Sequence, residues 1–250
     1  MSEILITGAS GGLGSLLAPL LRERGHTLRA LSRRPREGEG WSVGDTVRGT
    51  GLDAAVDGVD TVVHLAGGAR GDDVGTRNLA AAAVRARVGH VLMISVVGAD
   101  SMPIGYFRAK ASAERELAAA GVPWTVLRAA QFHTFVARAV RGMTALPLAV
   151  APRDLRFEPV AGEEVAARLA DLVGSGPAGR TPDLAGPEVL PAEELVRLWM
   201  RARGLRRRIL RPSIPGAVGR AYREGANLAG EGADRGSLTW AQSLGDIVDG

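Results

Sequence analysis

The run EILITGASGGLG, residues 3–14, constrains the fold of this chain more than any other stretch. Its apolar start is long enough for a buried strand and too short for a helix. A glycine-rich turn follows at once. Then GLGSLLAPLLRERG, residues 12–25, sets Leu13, Leu16, Leu17, Leu20 and Leu21 on one helical face. A strand that passes straight into a helix points to a second strand lying parallel to the first. The chain supplies the rest of that pattern. HTLRALS (26–32), WSVGD (41–45), DTVVHLAG (60–67), HVLMISV (90–96) and PWTVLRA (123–129) read as further strands, with helices predicted over 73–86 and 106–121. The expected fold is α/β, a doubly wound parallel sheet covered by helices.

Pro19 lies inside the first helix and is expected to kink it or leave its first turns irregular, and Gly25 is expected to end it. After residue 130 the alternation loosens. LRFEPVAGEEVAARLADLVGSG suggests a short strand and a helix, whose Glu163 and Glu164 suit a helix start. TPDLAGPEVLPAEELVRLWMRARG suggests a strand, a loop and a helix that begins after Pro191. Residues 212–250 show no clear period. The expected organisation is a core over 1–130 and a small C-terminal substrate-binding lobe over 131–250, partly interleaved with the core.

Composition excludes several classes. There is no cysteine, hence no disulfide, thiolate nucleophile or Cys-based metal site. His26, His64 and His90 show no metal-ligand spacing, and no metal is expected. The N-terminus enters a strand without a basic leader, and no apolar run approaches the ~20 residues of a membrane span, so a cytoplasmic location is expected. Net charge is +4, but basic and acidic residues are interleaved. The one dense basic run, RARGLRRRIL at 201–210, comes without a zinc pattern or an aromatic-basic RNA motif. It reads as a solvated face, so a nucleic-acid partner is not expected. The sequence carries no signal for an oligomeric state.

The glycines of TGASGGLG stand between the first strand and the first helix, where a bound phosphate would meet helix N–H groups. Glycine serves a tight turn there and lets a pyrophosphate approach the backbone. Gly8, Gly11 and Gly14 give one spacing, G-x-x-G-x-x-G, and Gly8, Gly12 and Gly14 another, G-x-x-x-G-x-G. Ser10 and Leu13 complete the candidate cofactor loop. The end of the second strand selects between dinucleotides. A carboxylate would hold a ribose 2′-hydroxyl, whereas LSRRP offers Arg33 and Arg34, which suit a 2′-phosphate. The expected cofactor is NADP(H) in preference to NAD(H).

YFRAK, residues 106–110, carries the chemistry. Of 31 basic residues one is lysine, Lys110, and one of two tyrosines, Tyr106, stands a helical turn before it. A neighbouring ammonium favours phenolate, and is expected to lower the phenol from its ordinary value near ~10. A phenol so tuned can hand a proton to a carbonyl oxygen, and lysine can also donate to ribose hydroxyls.

Both glycine spacings, with Tyr-x-x-x-Lys on the helix after the fifth strand, resemble the short-chain dehydrogenase/reductase superfamily. The chain is most similar to its atypical branch, resembling NmrA and triphenylmethane reductase, through ILITGASGGLG, GHTLRALSRRP, GVDTVVHLAGG, GTRNLAAAA, GHVLMISVVGAD, GYFRAKASAERELAAAGVPWTVLRAAQFH and LAGPEVLPAEELVRL. The resemblance implies that Tyr106 and Lys110 are the catalytic pair and that Ser95 holds the substrate carbonyl, with Ser101 a second, less well placed candidate. HLAGG replaces the conventional Asn-Asn-Ala-Gly, with Ala66, Gly67 and Gly68 against the cofactor. It further implies that Asp45 lies by the adenine, and that Ala129 to Phe132 border the nicotinamide. His133 could line a substrate pocket, whereas Asn78 reads as a local packing or capping residue. The implied function is an NADP(H)-dependent oxidoreductase that reduces a carbonyl or related group of a small-molecule substrate. The alternative within the branch is a non-catalytic NADP(H)-binding redox sensor.

Overall fold

The structure, a computed structural model, describes residues 2–38, 40–68 and 70–249, with the side chains of Asp246, Val248 and Asp249 not described. Its elements run β1 (Glu3–Thr7), α1 (Gly12–Glu23), β2 (Thr27–Ser32), β3 (Trp41–Val43), α2 (Leu52–Val56), β4 (Thr61–His64), α3 (Asp72–Arg85), β5 (His90–Val96), α4 (Gly105–Ala119) and β6 (Trp124–Ala129). Then come α5 (His133–Met143), β7 (Ala149–Val150), β8 (Arg156–Phe157), α6 (Gly162–Ser175), β9 (Gly179–Arg180), β10 (Leu184–Ala185) and β11 (Leu190–Pro191). The chain ends with α7 (Ala192–Ala202), β12 (Ile209–Leu210), α8 (Gly216–Glu224), β13 (Asp234–Arg235) and α9 (Trp240–Asp249).

The chain divides into two compact units, and the division is discontinuous. The first holds residues 1–95, 105–128 and 163–181; the second holds 96–104, 129–162 and 182–250.

In the first unit the strands lie in the order β3-β2-β1-β4-β5-β6. The pairs β1–β2, β1–β4, β2–β3 and β4–β5 are parallel, and β9 pairs in parallel with β6. This is the Rossmann-like, doubly wound order expected, with its reversal between β1 and β4. β4 and β5 are buried throughout, which is why both read as unbroken apolar runs. Leu5, Val62, Val91 and Met93 from the sheet pack with Leu79, Ala82 and Ala83 of α3 and Leu117 of α4 in one core. Each large apolar side chain buried there contributes about 1.5–3 kcal/mol.

α1 ends as its sequence suggests. Gly25 has φ +82°, its N–H donates to Arg22 O, and His26 N–H donates to Leu21 O. This double bond of a left-handed cap satisfies carbonyls that the helix end leaves free. Pro19 does not disturb the first turns: α1 runs through it to Glu23. α3 ends with the same two-bond cap, Arg87 N–H to Val84 O and Val88 N–H to Ala83 O. Its left-handed position, at φ +57°, is held by Arg87 and not by glycine.

In the second unit α5, α7 and α9 pack together around Val136, Val140, Leu195, Trp199 and Trp240. α5 is absent from the sequence reading. β8 pairs antiparallel with β11, β7 parallel with β12, and β10 parallel with β13. Buried Glu158 accepts from Ala229 N–H at 2.6 Å and pairs with Arg235, while Asn227 Nδ2 donates to Arg156 O at 2.7 Å. The unpatterned tail is thus tied down by polar contacts as well as by apolar ones.

Replacing Arg87 by glycine should remove the Cβ strain of the left-handed residue and stabilise the fold by about 1 kcal/mol. Thermal unfolding should show a rise of roughly 2–4 °C. A melting temperature equal to the parent's would show that the cap carries no strain.

Candidate active site

The site is built where β1 and β4 end, at the reversal of the strand order. Gly8 follows β1 at φ +74°, and a Cβ on it would stand 2.8 Å from Ala66 N. Gly11 N–H donates to Gly8 O at 2.9 Å, closing the turn, and Gly11 is the N-cap of α1. A Cβ on Gly14 would lie 2.4 Å from Gly8 O and 2.6 Å from Ala9 Cα. The glycines therefore bring α1 against the turn with no room for a side chain, and the helix N-terminus faces the strand ends.

A cavity of about 1370 Å³ opens over these strand ends. Gly8, Ser10, Arg33, Arg34, Asp45, Ala66, Gly67 and Gly68 line it. Gly11, Gly12, Leu13 and Gly14 instead form the start of α1, outside its lining. Ala129 belongs to the second unit, where it pairs with Leu184, and is not among the lining residues either. Three further arginines that the sequence reading missed line the cavity: Arg36, Arg48 and Arg70. Arg36 lies over the Trp41 ring at 4.9 Å. Asp45 Oδ1 accepts from the backbone N–H groups of Val47 at 2.9 Å and Arg48 at 3.1 Å, so this carboxylate shapes its own loop. Asn78 reaches the same loop: its Nδ2 donates to Thr46 O at 2.8 Å and Val47 O at 3.2 Å. It is a long-range brace where local packing was expected.

The floor is a chain of buried polar groups. Ala66 N–H donates to Thr7 Oγ1 at 3.1 Å, and Thr7 Oγ1 is 2.7 Å from His64 Nδ1. His64 Nε2 is 3.2 Å from Thr76 Oγ1, whose hydroxyl donates to Met93 Sδ at 3.9 Å. With Thr76 donating onward, His64 carries its proton on Nε2 and accepts at Nδ1. Burial, reinforced by the Lys110 ammonium, holds the imidazole pKa down to about 3.

Lys110 is buried, and its Nζ lies 3.0 Å from Asp72 Oδ2. It also donates to Ile94 O at 3.4 Å. Asp72 Oδ1 accepts from Gly68 N–H at 3.2 Å, which ties the pair to the Gly67–Gly68 loop. Asp72 was not among the expected site residues. Its signal was an acid just after a glycine loop, which also suits an ordinary helix start. Tyr106 is partly exposed, edge-on to Phe107 at 5.7 Å. The expected lowering of its phenol is corrected by the structure. Burial, and then the Asp72 carboxylate, push it above the ordinary tyrosine value.

Ser95 stands at the C-terminal end of β5, as expected, but its hydroxyl is turned to another partner. It is buried and donates to Glu114 Oε1 at 2.5 Å. Glu114 in turn receives Arg128 Nε at 2.8 Å and Nη2 at 2.6 Å. A hydroxyl committed to that network is not free to hold a substrate carbonyl. Ser101 is exposed and donates to Asp100 at 3.3 Å. His133 is buried between Pro159 O, at 3.1 Å from its Nε2, and Ser243 Oγ, at 2.5 Å from its Nδ1, so it packs the second unit. Among the described residues no cluster of three potential metal ligands occurs, and no helix is long and apolar enough to cross a membrane.

A glycine turn without room for a Cβ, a helix N-terminus and a roomy arginine-rimmed cavity at the reversal of a parallel sheet define a dinucleotide-binding Rossmann protein. Comparison with known proteins agrees. The family described as NAD(P)H-binding matches residues 8–171, more than half of the chain, so the protein belongs to that family. It is 32% identical over 211 residues to the (4-alkanoyl-5-oxo-2,5-dihydrofuran-3-yl)methyl phosphate reductase of Streptomyces griseus subsp. griseus, covering 76% of this chain and 70% of that one. The fold is similar to an NADPH-dependent quinone oxidoreductase from Escherichia coli complexed with NADPH, with TM-score 0.81, 20% identity and coverage of 98% and 99%. It is equally similar to the Citrobacter sp. triphenylmethane reductase complexed with NADP(H), with TM-score 0.80, 20% identity and coverage of 98% and 99%.

His64 gives stability a pH dependence. The native imidazole stays neutral where the unfolded one, with an ordinary pKa of 6.5, is protonated. Stability therefore falls as pH drops from 6.5 toward about 3, by at most about 5 kcal/mol from this residue. Urea midpoints measured between these limits should decline, and His64→Gln, which keeps a donor and an acceptor without titrating, should flatten the decline. An unchanged slope in that variant would show that other groups cause it.

Proposed function

We propose that the protein is an NADP(H)-dependent reductase of a carbonyl, or of a carbon–carbon double bond conjugated to one, in a small molecule. The observation that carries the cofactor preference is the charge of the cavity. Among the described residues it is lined by five arginines, while its two carboxylates, Asp45 and Asp72, are already engaged. A 2′-phosphate suits guanidinium groups, and an NAD ribose has no free carboxylate to meet. The residues fit the cofactor: Gly68 lines the cavity and a Cβ there would meet nothing within 4 Å, so its backbone lies open to a ligand, while Gly67 beside it borders the Lys110 ammonium.

A bound reduced nicotinamide supplies hydride. The chain itself supplies orientation and a proton. Arg33 and Arg34 would hold the adenosine end, and Ser10 with the free N–H groups of α1 would receive the pyrophosphate. Tyr106 donates the proton to the substrate oxygen as charge builds there. The Streptomyces relative supports an acyl-substituted unsaturated lactone as the kind of substrate, and the quinone oxidoreductase and triphenylmethane reductase share the fold. All three kinds belong on a substrate panel.

Fluorescence titration should give at least ~10-fold tighter binding of NADPH than of NADH, equivalent to about 1.4 kcal/mol. Replacing Arg33 and Arg34 by alanine should weaken NADPH and leave NADH little changed. Equal affinities in the parent would sink the preference.

On any substrate the panel turns up, Tyr106→Phe should retain NADPH binding and lose about 10²–10⁴-fold in kcat. A variant that turns over like the parent would remove Tyr106 from the chemistry.

A further inference from the structure

Beneath the Gly67–Gly68 loop lies a buried ion pair whose negative half has no part in holding a phosphate. Lys110 and Asp72 are 7% and 3% exposed, with Nζ and Oδ2 3.0 Å apart. Asp72 Oδ1 has the Gly68 N–H, but Oδ2 meets no hydrogen-bond donor of good geometry among the described residues. The carboxylate is therefore balanced chiefly by the charge of one ammonium. A Cβ on Gly67 would stand 2.7 Å from both Asp72 Oδ1 and Lys110 Nζ, so the loop closes directly over the pair.

Tyr106, Lys110 and Glu114 follow one another at four-residue spacing on α4 and share a face. Lysine alone would draw the phenol toward phenolate. The other charges around it are accounted for element by element. On α4, Glu114 is held by Arg128 of β6 at 2.6 Å, and Arg108 is exposed. On α3, Arg77 is engaged with Glu116 at 2.8 Å at the surface, and Asp73 lies next to Asp72 in the first turn. On β4, His64 is neutral. Partial burial and then the Asp72 carboxylate push the phenol up, and the Lys110 ammonium, one turn away on α4, acts in the opposite sense.

We propose that Asp72 is a positioning residue: it fixes Lys110 and cancels its charge, so that Tyr106 works as a neutral phenol that gives up a proton. The catalytic meaning of this rests on the reductase reading above. In the step, the substrate carbon takes the hydride, the Tyr106 O–H bond breaks, and the proton goes to the substrate oxygen. The phenolate recovers a proton from water, which reaches a side chain 39% exposed. The reverse oxidation would need a phenolate base, so the arrangement favours reduction at neutral pH.

The test reads Tyr106 directly in the cofactor-free protein. With Tyr222→Phe as background, Tyr106 is the one remaining tyrosine, and tyrosinate absorbance follows its titration over the pH range where circular dichroism reports the native fold. Asp72→Asn should move the midpoint to lower pH, Lys110→Met to higher pH, and the double variant back near the parent. An unmoved midpoint in Asp72→Asn, or both single variants shifting the same way, overturns the proposal. If Asp72→Asn does not fold, Lys110→Met against the double variant isolates the carboxylate, and equal midpoints there overturn it as well. Because no substrate is involved, a failure to find turnover leaves this readout intact, and a failed titration leaves the reductase reading standing.

Discussion

Everything at the site depends on how closely three backbone segments approach one another around Gly8. β1 and β4 lie in parallel register with Thr7 opposite His64. The turn after β1 presses against Ala66 of the loop after β4, and α1 presses against the turn at Gly14. One side-chain carbon at Gly8 or Gly14 would drive these segments apart. The register then decides the polar floor. Thr7 can bond to Ala66 and His64 together only because the two strands end level. A separation of the strand ends would leave a buried imidazole and a backbone N–H unpaired, at about 1–3 kcal/mol for each group.

α4 is anchored by charge as well as by apolar packing. Its inner face carries Lys110 and Glu114, each with a buried or nearly buried counter-ion, Asp72 and Arg128. Pairs of this kind seldom add net stability, because desolvation offsets most of the attraction, yet losing one partner is costly. What they give is position. Lys110 joins α4 to α3 and to the carbonyl of Ile94 in β5, and Glu114 joins α4 to Ser95 of β5 and Arg128 of β6. Tyr106, one turn before Lys110 on the same helix, is not among the residues that line the cavity, and these two fixed points set the position of the turn that carries it. Ser95 belongs to this scaffold, which explains a buried serine at the end of a strand without assigning it any chemistry.

The strands of the first unit were legible because burial on both faces writes them as unbroken apolar runs, and HVLMISV is the observed β5 residue for residue. The glycine turn was legible for a similar reason: positive φ and absent Cβ space leave glycine as the sole fit. α5 was not, although Val136, Ala137 and Val140 form its buried stripe. Arg138 and Arg141 stand on the exposed face, as in an ordinary amphipathic helix, but the N-cap is Phe132, whose side chain caps nothing, so no start signal marks the helix. Strands of two residues, such as β10 and β13, carry no period at all, so their pairing comes from tertiary contacts. The same limit hid Asp72. Its acid looked like a helix-start residue, and only the folding of α3 against α4 brings it to Lys110.

That pairing also accounts for a lysine in a chain that otherwise uses arginine. The Lys110 head is buried and bounded by Asp72, the Ile94 carbonyl and the Gly67 backbone. An ammonium presents three donors from a single small atom, whereas a guanidinium presents five from a broad plane. In this pocket a single added carbon on Gly67 would already sit 2.7 Å from Nζ. A guanidinium would overfill the space and bury donors with no acceptor to meet them. At the cavity rim the constraint is reversed. Arg33 and Arg34 are exposed, solvent satisfies whatever donors a ligand leaves free, and the planar fork suits a phosphate. Lysine inside and arginine at the rim are thus one selection made twice, first by space and then by the shape of the anion.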